Sequence, residues 1–191
     1  MTEEKSFKGK YRIKSSRLEG WDYSLNGAYY ITICTKNKEY FFGEIKNEKI
    51  VLSEIGRMAE KYWKGIPEHF PFVKLDEFVV MPNNIHGILF IENENNMHVY
   101  VETQDFESLQ QTKHYKNKFG TQSKNVSSVV RGFKIGVKTY ATMNNIHFTW
   151  QSRFYDHIIR NENELNKIRE YIIGNPKKWI LDKDTPEDLY T

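Results

Sequence analysis

The sequence has a single cysteine, little net charge and no long apolar run, and each shortage excludes a class of protein. Because Cys34 is alone, no internal disulfide can form, which fits a reducing, cytoplasmic setting. No stretch approaches the roughly 20 apolar residues that a membrane helix needs. A net charge of +3 neither requires nor excludes a nucleic-acid partner. The 39% of hydrophobic residues that remain are sufficient for a core.

Charged residues are unevenly distributed along the chain. Lysines and arginines crowd its first 17 residues and acidic residues its last ten. We therefore expect a basic arm over residues 1–26, docked by Trp21 and Tyr23, a single domain over residues 27–180, and an acidic tail over residues 181–191. Residues 93–124 are polar and predict an insertion loop. A basic arm is typical of phosphate-binding surfaces, although a solvated tail has the same composition.

Short runs of β-branched and aromatic residues, separated by turn residues, predict strands. Three segments with apolar residues at helical spacing predict helices. The predicted strands are Ala28–Thr35, a hairpin of Tyr40–Ile45 and Lys49–Leu52, residues 73–81 and 85–92, and a last strand with its lead-in over Trp150–Arg160. The first predicted helix begins after Ser53 and has a buried stripe of Ile55, Ala59, Tyr62 and Ile66. The second spans Val126–Met143. The third begins at Asn161 and is ended by Gly174 and Pro176. This pattern predicts an α+β protein.

Two polar side chains stand at the start of one predicted strand. Asn84 and His86 are two residues apart, so they project from the same face of the sheet. An imidazole and an amide oxygen are both able to bind a metal ion. A turn over residues 82–84 followed by a hydrogen-bonded strand histidine would leave the same pattern.

A second pair, Tyr171 and Asn175, is four residues apart on the last predicted helix and therefore shares one side of it. Both residues lie where the apolar stripe meets solvent. Tyr155 is a competing reactive tyrosine, but its strand context favours packing.

Residues 81–87 read Met-Pro-Asn-Asn-Ile-His-Gly, which resembles the metal-binding strand of the single-tyrosine HUH transposases, closest to their REP-associated, IS200-like branch. That family carries two histidines in this motif, and here Asn84 replaces the first. The resemblance runs from about residue 10 to about residue 180. It implies a ferredoxin-like antiparallel sheet with helices on one face and an extra C-terminal helix that carries the reactive tyrosine.

The resemblance also implies a function and a set of site residues. Tyr171 would attack a phosphodiester of single-stranded or hairpin DNA and form a 5′-phosphotyrosine link. Asn84, His86 and Asn175 would hold Mg²⁺ or Mn²⁺. Relatives occur as monomers and as homodimers, and localisation would be cytoplasmic, at the nucleoid. The residues assigned to DNA contacts are Arg12, Lys14 and Arg17 in the arm and Lys134 and Lys138 on the second helix.

Three alternatives remain open at this stage. Because Asn84 is a weaker ligand than histidine, the chain could be a catalytically impaired, domesticated DNA-binding protein. Lys134 and Lys138 share a helix face, and two solvated lysines would give the same spacing. An RNA-binding module of ferredoxin-like fold is disfavoured, since the sequence has no segment with its basic and aromatic signature.

Overall fold

The computed structural model describes residues 21–93 and 124–179, and these residues form six strands and four α-helices. The elements, in chain order, are β1 Gly27–Cys34, β2 Gly43–Lys46, β3 Lys49–Leu52, α1 Glu54–Lys64, α2 Ile66–His69, β4 Val73–Val80, β5 Asn84–Ile91, α3 Val126–Met143, β6 Tyr155–Ile159 and α4 Glu162–Lys178.

The main sheet has the strand order β4-β5-β1-β6, and all neighbouring strands are antiparallel. The first strand is therefore central, and the strands that follow each long helix add on either side of the β1–β5 pair. Strands β2 and β3 form a separate hairpin. This is the split βαβ arrangement, so the predicted α+β, ferredoxin-like fold is confirmed.

The two faces of the main sheet carry different helices. Ile31 and Ile33 of β1 pack in a large core with residues of α1 and α3, and Tyr30 packs in a smaller core with α4. Alternate residues of a strand point to opposite faces, so α4 covers the face opposite to α1 and α3. His86 lies in register with Thr32 and hence on the α4 face.

The helix starts agree with the prediction, and Ser53 and Asn161 are the capping residues of α1 and α4. The Ser53 hydroxyl accepts the Gly56 N–H at 3.1 Å, and the Asn161 amide oxygen accepts the Glu164 N–H at 2.9 Å. Asn125 and Ser128 cap α3 reciprocally, which fixes its start at Val126. None of the described helices combines the length and apolarity that crossing a membrane requires.

Two helix ends were predicted wrongly. The first helix ends at Lys64, so Ile66 belongs not to α1 but to the short helix α2, where Pro67 occupies the first turn. Helix α4 does not end at Gly174 and Pro176 but continues to Lys178. Proline removes only one hydrogen bond this close to a C-terminus. The Trp179 N–H still donates to the Asn175 carbonyl at 2.9 Å, which closes the last turn.

Trp21 and Tyr23 dock the described end of the predicted arm. Both pack against the large core, and the Trp21 indole N–H donates to the Tyr29 hydroxyl at 3.3 Å. The rest of the arm, most of the predicted loop over residues 93–124 and the acidic tail lie outside the described residues.

Candidate functional site

The motif of residues 81–87 forms a tight turn and the beginning of β5. The Met81 N–H donates to the Asn84 carbonyl at 2.8 Å, which closes the turn over Pro82 and Asn83. Asn84 is then the first strand residue, opposite Cys34, and His86 lies opposite Thr32. The predicted side-by-side placement of Asn84 and His86 on one strand is therefore present.

His86 is buried and held by two hydroxyl groups. Its Nδ1 atom lies 2.7 Å from the Tyr30 hydroxyl and 3.0 Å from the Thr32 hydroxyl, at hydrogen-bonding distance from both. Only 6% of the side chain is exposed, and this burial lowers the pKa of His86 to about 4. The ring is therefore neutral at pH 7. With Nδ1 engaged, Nε2 is the nitrogen that could bind a metal ion.

The glycine that follows His86 has a structural reason. A Cβ atom on Gly87 would lie 2.3 Å from the indole of Trp63, a fully buried residue of α1. Trp63 therefore packs directly on the β5 backbone, on the sheet face opposite to His86. The glycine allows α1 to support the strand that carries the histidine.

Tyr171 of α4 lies over the same strand. Its ring meets the His86 ring edge to face with centroids 5.5 Å apart, and it meets the Tyr30 ring at 6.4 Å. Tyr155 also contacts Tyr30, at 6.3 Å, and burial raises the pKa of Tyr155. The fold thus brings the predicted tyrosine to the predicted histidine across two elements far apart in sequence. Tyr155 is a neighbour one ring further away.

The two predicted amides lie on the same two elements as His86 and Tyr171, Asn84 on β5 and Asn175 on α4. Asn175 follows Tyr171 by one helical turn and is only 7% exposed. The Asn84 Oδ1 atom is buried and has no hydrogen-bond partner among the described residues. An unpaired buried polar atom costs about 1–3 kcal/mol, so this oxygen is available to accept a hydrogen bond or to bind a cation.

The donor atoms of these residues decide whether the implied divalent metal fits here. Within residues 21–93 and 124–179, no cluster of three or more histidine, cysteine, aspartate or glutamate side chains could hold an ion. The donors are instead one neutral imidazole and two amides, with the orphaned Asn84 oxygen among them. Amide oxygen suits Mg²⁺, which needs few protein ligands and retains several waters. The set fits a weakly held, oxygen-preferring cation.

An ion pair that sequence reasoning missed attaches α4 to the sheet. The Arg169 guanidinium donates to the Asp76 carboxylate at 3.0 Å and 2.5 Å, and both side chains are mostly buried. Asp76 lies where the β4–β5 register shifts between Leu75 and Phe78. Tyr30 and Thr32 were missed as well. Tyr30 and Thr32 are two residues apart on β1 and so share one face of the sheet. This spacing places them next to His86 only when the β1–β5 register is known.

Of the five residues assigned to DNA contacts, two lie in the described part of the chain. Lys134 donates to the carbonyls of Gln151 and Arg153, and Lys138 donates to that of Phe148. Both lysines therefore lie on one edge of α3, as their spacing predicted, and hold the segment before β6. Their contact with DNA stays a prediction. Arg12, Lys14 and Arg17 lie outside the described residues.

The chain is similar in sequence to other proteins. No family model matches it. An uncharacterized protein of Haemophilus influenzae is 40% identical over 176 residues, which cover 92% of this chain and 94% of that protein. A second protein of that organism, named "Putative REP-associated tyrosine transposase", is 24% identical over 158 residues, covering 82% of this chain and 74% of the relative.

The fold has a solved counterpart. The structure of a REP-associated tyrosine transposase bound to a REP hairpin matches with a TM-score of 0.52 at 18% identity, covering 90% of this chain and 74% of that one. The resemblance noted in the motifs is therefore found independently in overall sequence and in fold. The chain is thus similar in sequence to one relative named as a REP-associated tyrosine transposase, and similar in fold to a solved member of that family.

Proposed function

We propose that this protein binds single-stranded or hairpin DNA and cleaves and rejoins one strand through Tyr171. The observation that carries the proposal is the contact between the rings of Tyr171 and His86, 5.5 Å apart, on the face of the sheet covered by α4. The solved relative bound to a REP hairpin supports DNA as the substrate class.

Cleavage and rejoining each break one phosphate ester bond and form another. The Tyr171 oxygen attacks the phosphorus and forms a phosphotyrosine at the 5′ end, while the bond from phosphorus to the 3′ oxygen breaks. Tyr171 loses one proton and the leaving 3′ oxygen gains one, so the step is balanced. Attack by a 3′ hydroxyl on the phosphotyrosine reverses these steps and rejoins the strand. Because the bond energy is kept in the protein link, no nucleotide cofactor is required.

The surroundings of Tyr171 favour it over Tyr155 as the nucleophile. A tyrosine with a pKa near 10 is mostly protonated at neutral pH and reacts slowly without assistance. Burial raises the pKa of Tyr155 further, which makes it the weaker candidate. Tyr171 lies instead beside a neutral imidazole, where proton transfer or a cation can assist it.

His86, Asn84 and Asn175 would hold the divalent cation, Mg²⁺ or Mn²⁺. When bound, a cation would offset the negative charge of the phosphate and help the leaving oxygen to depart. All three side chains are uncharged, so these ligands supply no charge to retain the ion. The DNA phosphate supplies it, and we expect metal affinity to rise when DNA is bound.

A DNA-binding protein without cleavage activity is the second candidate. Two observations favour it: Asn84 replaces a histidine, and the described residues contain no cluster of three strong metal ligands. Such a protein would retain hairpin DNA in a salt-dependent manner and form no covalent product.

A denaturing gel separates the two candidates. A labelled library of single-stranded hairpins is incubated with the protein in Mn²⁺ or in EDTA, and a shifted band reports the covalent adduct. We expect a band in Mn²⁺ with the wild type and with Tyr155→Phe, the matched control. We expect none with Tyr171→Phe, because that variant lacks the attacking oxygen.

Each other outcome has a defined meaning. An adduct that persists in Tyr171→Phe rules out Tyr171 as the nucleophile. Hairpin retention on a native gel without an adduct in Mn²⁺ or Mg²⁺ rules out cleavage and establishes the second candidate.

A further inference from the structure

One side chain of the central strand contacts three other rings of the candidate site. Tyr30 of β1 lies nearly parallel to the His86 ring, with the ring centroids 5.9 Å apart and an angle of 6° between the planes. It meets Tyr171 edge to face at 6.4 Å and Tyr155 at 6.3 Å. Because these rings belong to β5, α4 and β6, the Tyr30 side chain joins three elements at one point.

The hydroxyl of Tyr30 makes the shorter of two contacts with His86. It lies 2.7 Å from Nδ1, and the Thr32 hydroxyl lies 3.0 Å from the same atom. Tyr30 is 2% exposed and His86 is 6% exposed, so water competes little for this contact. In the described part of the chain, no group forms a hydrogen bond with the other ring nitrogen, Nε2. The two hydroxyls thus engage one nitrogen and leave the second available.

Two oxygen atoms at one ring nitrogen favour the tautomer of His86 that carries its proton on Nδ1. An N–H can be shared between two acceptors, whereas a bare ring nitrogen has a single lone pair. Thr32 is only partly buried, so its own O–H can donate to solvent while its oxygen accepts. With the proton on Nδ1, the Nε2 lone pair is free to bind a cation or a proton.

The ring of Tyr30 supports the helix that carries the proposed nucleophile. Tyr30 packs in the small core with Ile168 and Ile172 of α4, and Ile172 follows Tyr171 in the chain. Among the described residues, that core has six buried apolar side chains, and Tyr30 is the only aromatic one. Removing its ring would leave a cavity beneath the helix. The position of α4, and with it the distance from Tyr171 to His86, therefore depends on this ring.

We propose that Tyr30 is the positioning residue of the candidate site: its hydroxyl accepts the Nδ1–H of His86 and keeps the Nε2 lone pair free, and its ring sets the separation of Tyr171 from His86. This inference rests on the proposed function for the roles of Tyr171 and His86. It adds that the nucleophile and the histidine are not placed independently, because one side chain of the central strand places both.

The state of His86 is measured directly, without DNA or metal. The full chain is labelled with ¹⁵N-histidine, and two-bond ¹H–¹⁵N spectra in EDTA at pH 7 show which ring nitrogen carries the proton. The chain has six histidines, and the signals lost in His86→Gln identify those of His86. We expect the wild type to carry the proton on Nδ1. Tyr30→Phe should shift it in part to Nε2, because the closer acceptor is gone.

Tyr29→Phe is the matched control, since it removes an equally buried hydroxyl from the neighbouring residue of β1. The Tyr29 side chain is 0% exposed and lies in the large core on the opposite face of the sheet, where its hydroxyl donates to the Leu25 carbonyl at 3.0 Å. We expect this variant to leave the His86 signals unchanged. Urea unfolding of both variants checks that they are folded under the conditions of the spectra.

Adduct formation separates the hydroxyl from the ring. The denaturing gel is repeated over a range of Mn²⁺ concentrations with Tyr30→Phe and Tyr30→Leu. Loss of the hydroxyl is expected to raise the Mn²⁺ concentration for half-maximal rate by about 10- to 100-fold, as for other partners of a metal-binding histidine, and Tyr29→Phe by less than about twofold. Tyr30→Leu lacks the ring as well, so its rate at saturating Mn²⁺ should stay about 100-fold low, the cost of a nucleophile misplaced by about 1 Å.

Three results overturn the proposal. A wild-type His86 that carries its proton on Nε2 reverses the assigned hydrogen bond. An unchanged tautomer in Tyr30→Phe removes the positioning role of its hydroxyl, and a shift in Thr32→Val then assigns that role to Thr32. Equal Mn²⁺ dependence in Tyr30→Phe and Tyr29→Phe means that the Tyr30 hydroxyl contributes no more than another buried hydroxyl of the strand.

Failure of this proposal can be told from failure of the proposed cleavage. If the wild type forms an adduct while Tyr30→Phe keeps the tautomer and the Mn²⁺ dependence of the wild type, the positioning role is wrong and cleavage stands. If the wild type forms no adduct but the tautomer shifts in Tyr30→Phe and not in Tyr29→Phe, cleavage is wrong and the effect of Tyr30 on His86 stands.

Discussion

The two faces of the main sheet are built for different purposes. On the face covered by α1 and α3, the described residues include 20 buried apolar side chains in one cluster, among them Trp63, Phe133 and Phe148. On the face covered by α4 there are six, and beside them lie the buried polar side chains of His86 and Asn175. The large face has the apolar area that stabilises the fold, and the small face carries the candidate site.

The contrast explains how polar groups can be buried here. Each unpaired polar atom destabilises the folded state, so a site of this kind requires a surplus of apolar burial elsewhere. Trp63 of α1 packs on β5 at Gly87, on one face of the sheet, and His86 of the same strand lies on the other face. Residues of the large face thus fix the strand, and that strand places the imidazole.

The largest expected effect comes from matched truncations on the two faces. Ile31 points to the large core and Ile88 to the small one, and neither is exposed. We expect Ile31→Ala to reduce the free energy of unfolding by about 4 kcal/mol, because the large core around it is held on several sides and cannot fully collapse into the cavity. Ile88→Ala should cost about 2 kcal/mol, since the looser α4 core can relax.

Urea unfolding at 25 °C measures both losses in the same buffer. A Val51→Ala variant, at a position 47% exposed, serves as the control that should change little. Equal losses from Ile31→Ala and Ile88→Ala would break the comparison, because the two faces would then be equally well packed.

Acid is expected to act on the small face through His86. The pKa of His86 is about 4 in the folded protein and near 6.5 in the unfolded chain, so between these values the unfolded chain binds more protons. Stability is therefore unaffected by this group above pH 6.5 and falls as the pH drops toward 4. The full loss is up to roughly 3 kcal/mol.

Urea unfolding in EDTA between pH 7 and pH 4 measures this dependence. The wild type should lose more stability over this range than His86→Gln, which cannot titrate at that position. If the free energy of unfolding has the same pH dependence in both proteins, the burial of neutral His86 does not account for the acid sensitivity.

The sequence predicted most of the fold because local signals agreed with each other. Asn125 caps α3 and an apolar stripe follows it, so Val126–Met143 was predicted correctly at both ends. The end of α4 was missed because proline was given its usual weight, whereas the hydrogen bond from Trp179 to Asn175 continues the helix beyond Pro176. Competing local signals of this kind are decided by tertiary contacts.

The site was predictable only in part. Asn84 with His86 and Tyr171 with Asn175 each follow from strand or helix spacing, but nothing local brings His86 to Tyr171, which are far apart in the chain. That pairing came from the resemblance. The hydroxyl of Tyr30 on His86 required the β1–β5 register, and the shift of register at Asp76 that meets Arg169 leaves no sequence signature.

The smallest expected effect on stability concerns the ion pair that attaches α4 to the small face of the sheet. Arg169 binds Asp76, and its side chain is 32% exposed, so solvent weakens the ion pair. We expect Arg169→Gln to cost about 1 kcal/mol, against almost nothing for Lys167→Gln, an exposed neighbour on the same helix. A double-mutant cycle with Asp76→Asn should give a coupling energy of similar size that shrinks at 1 M salt. A coupling near zero would mean that the small apolar core alone holds α4, and with it Tyr171, on the sheet.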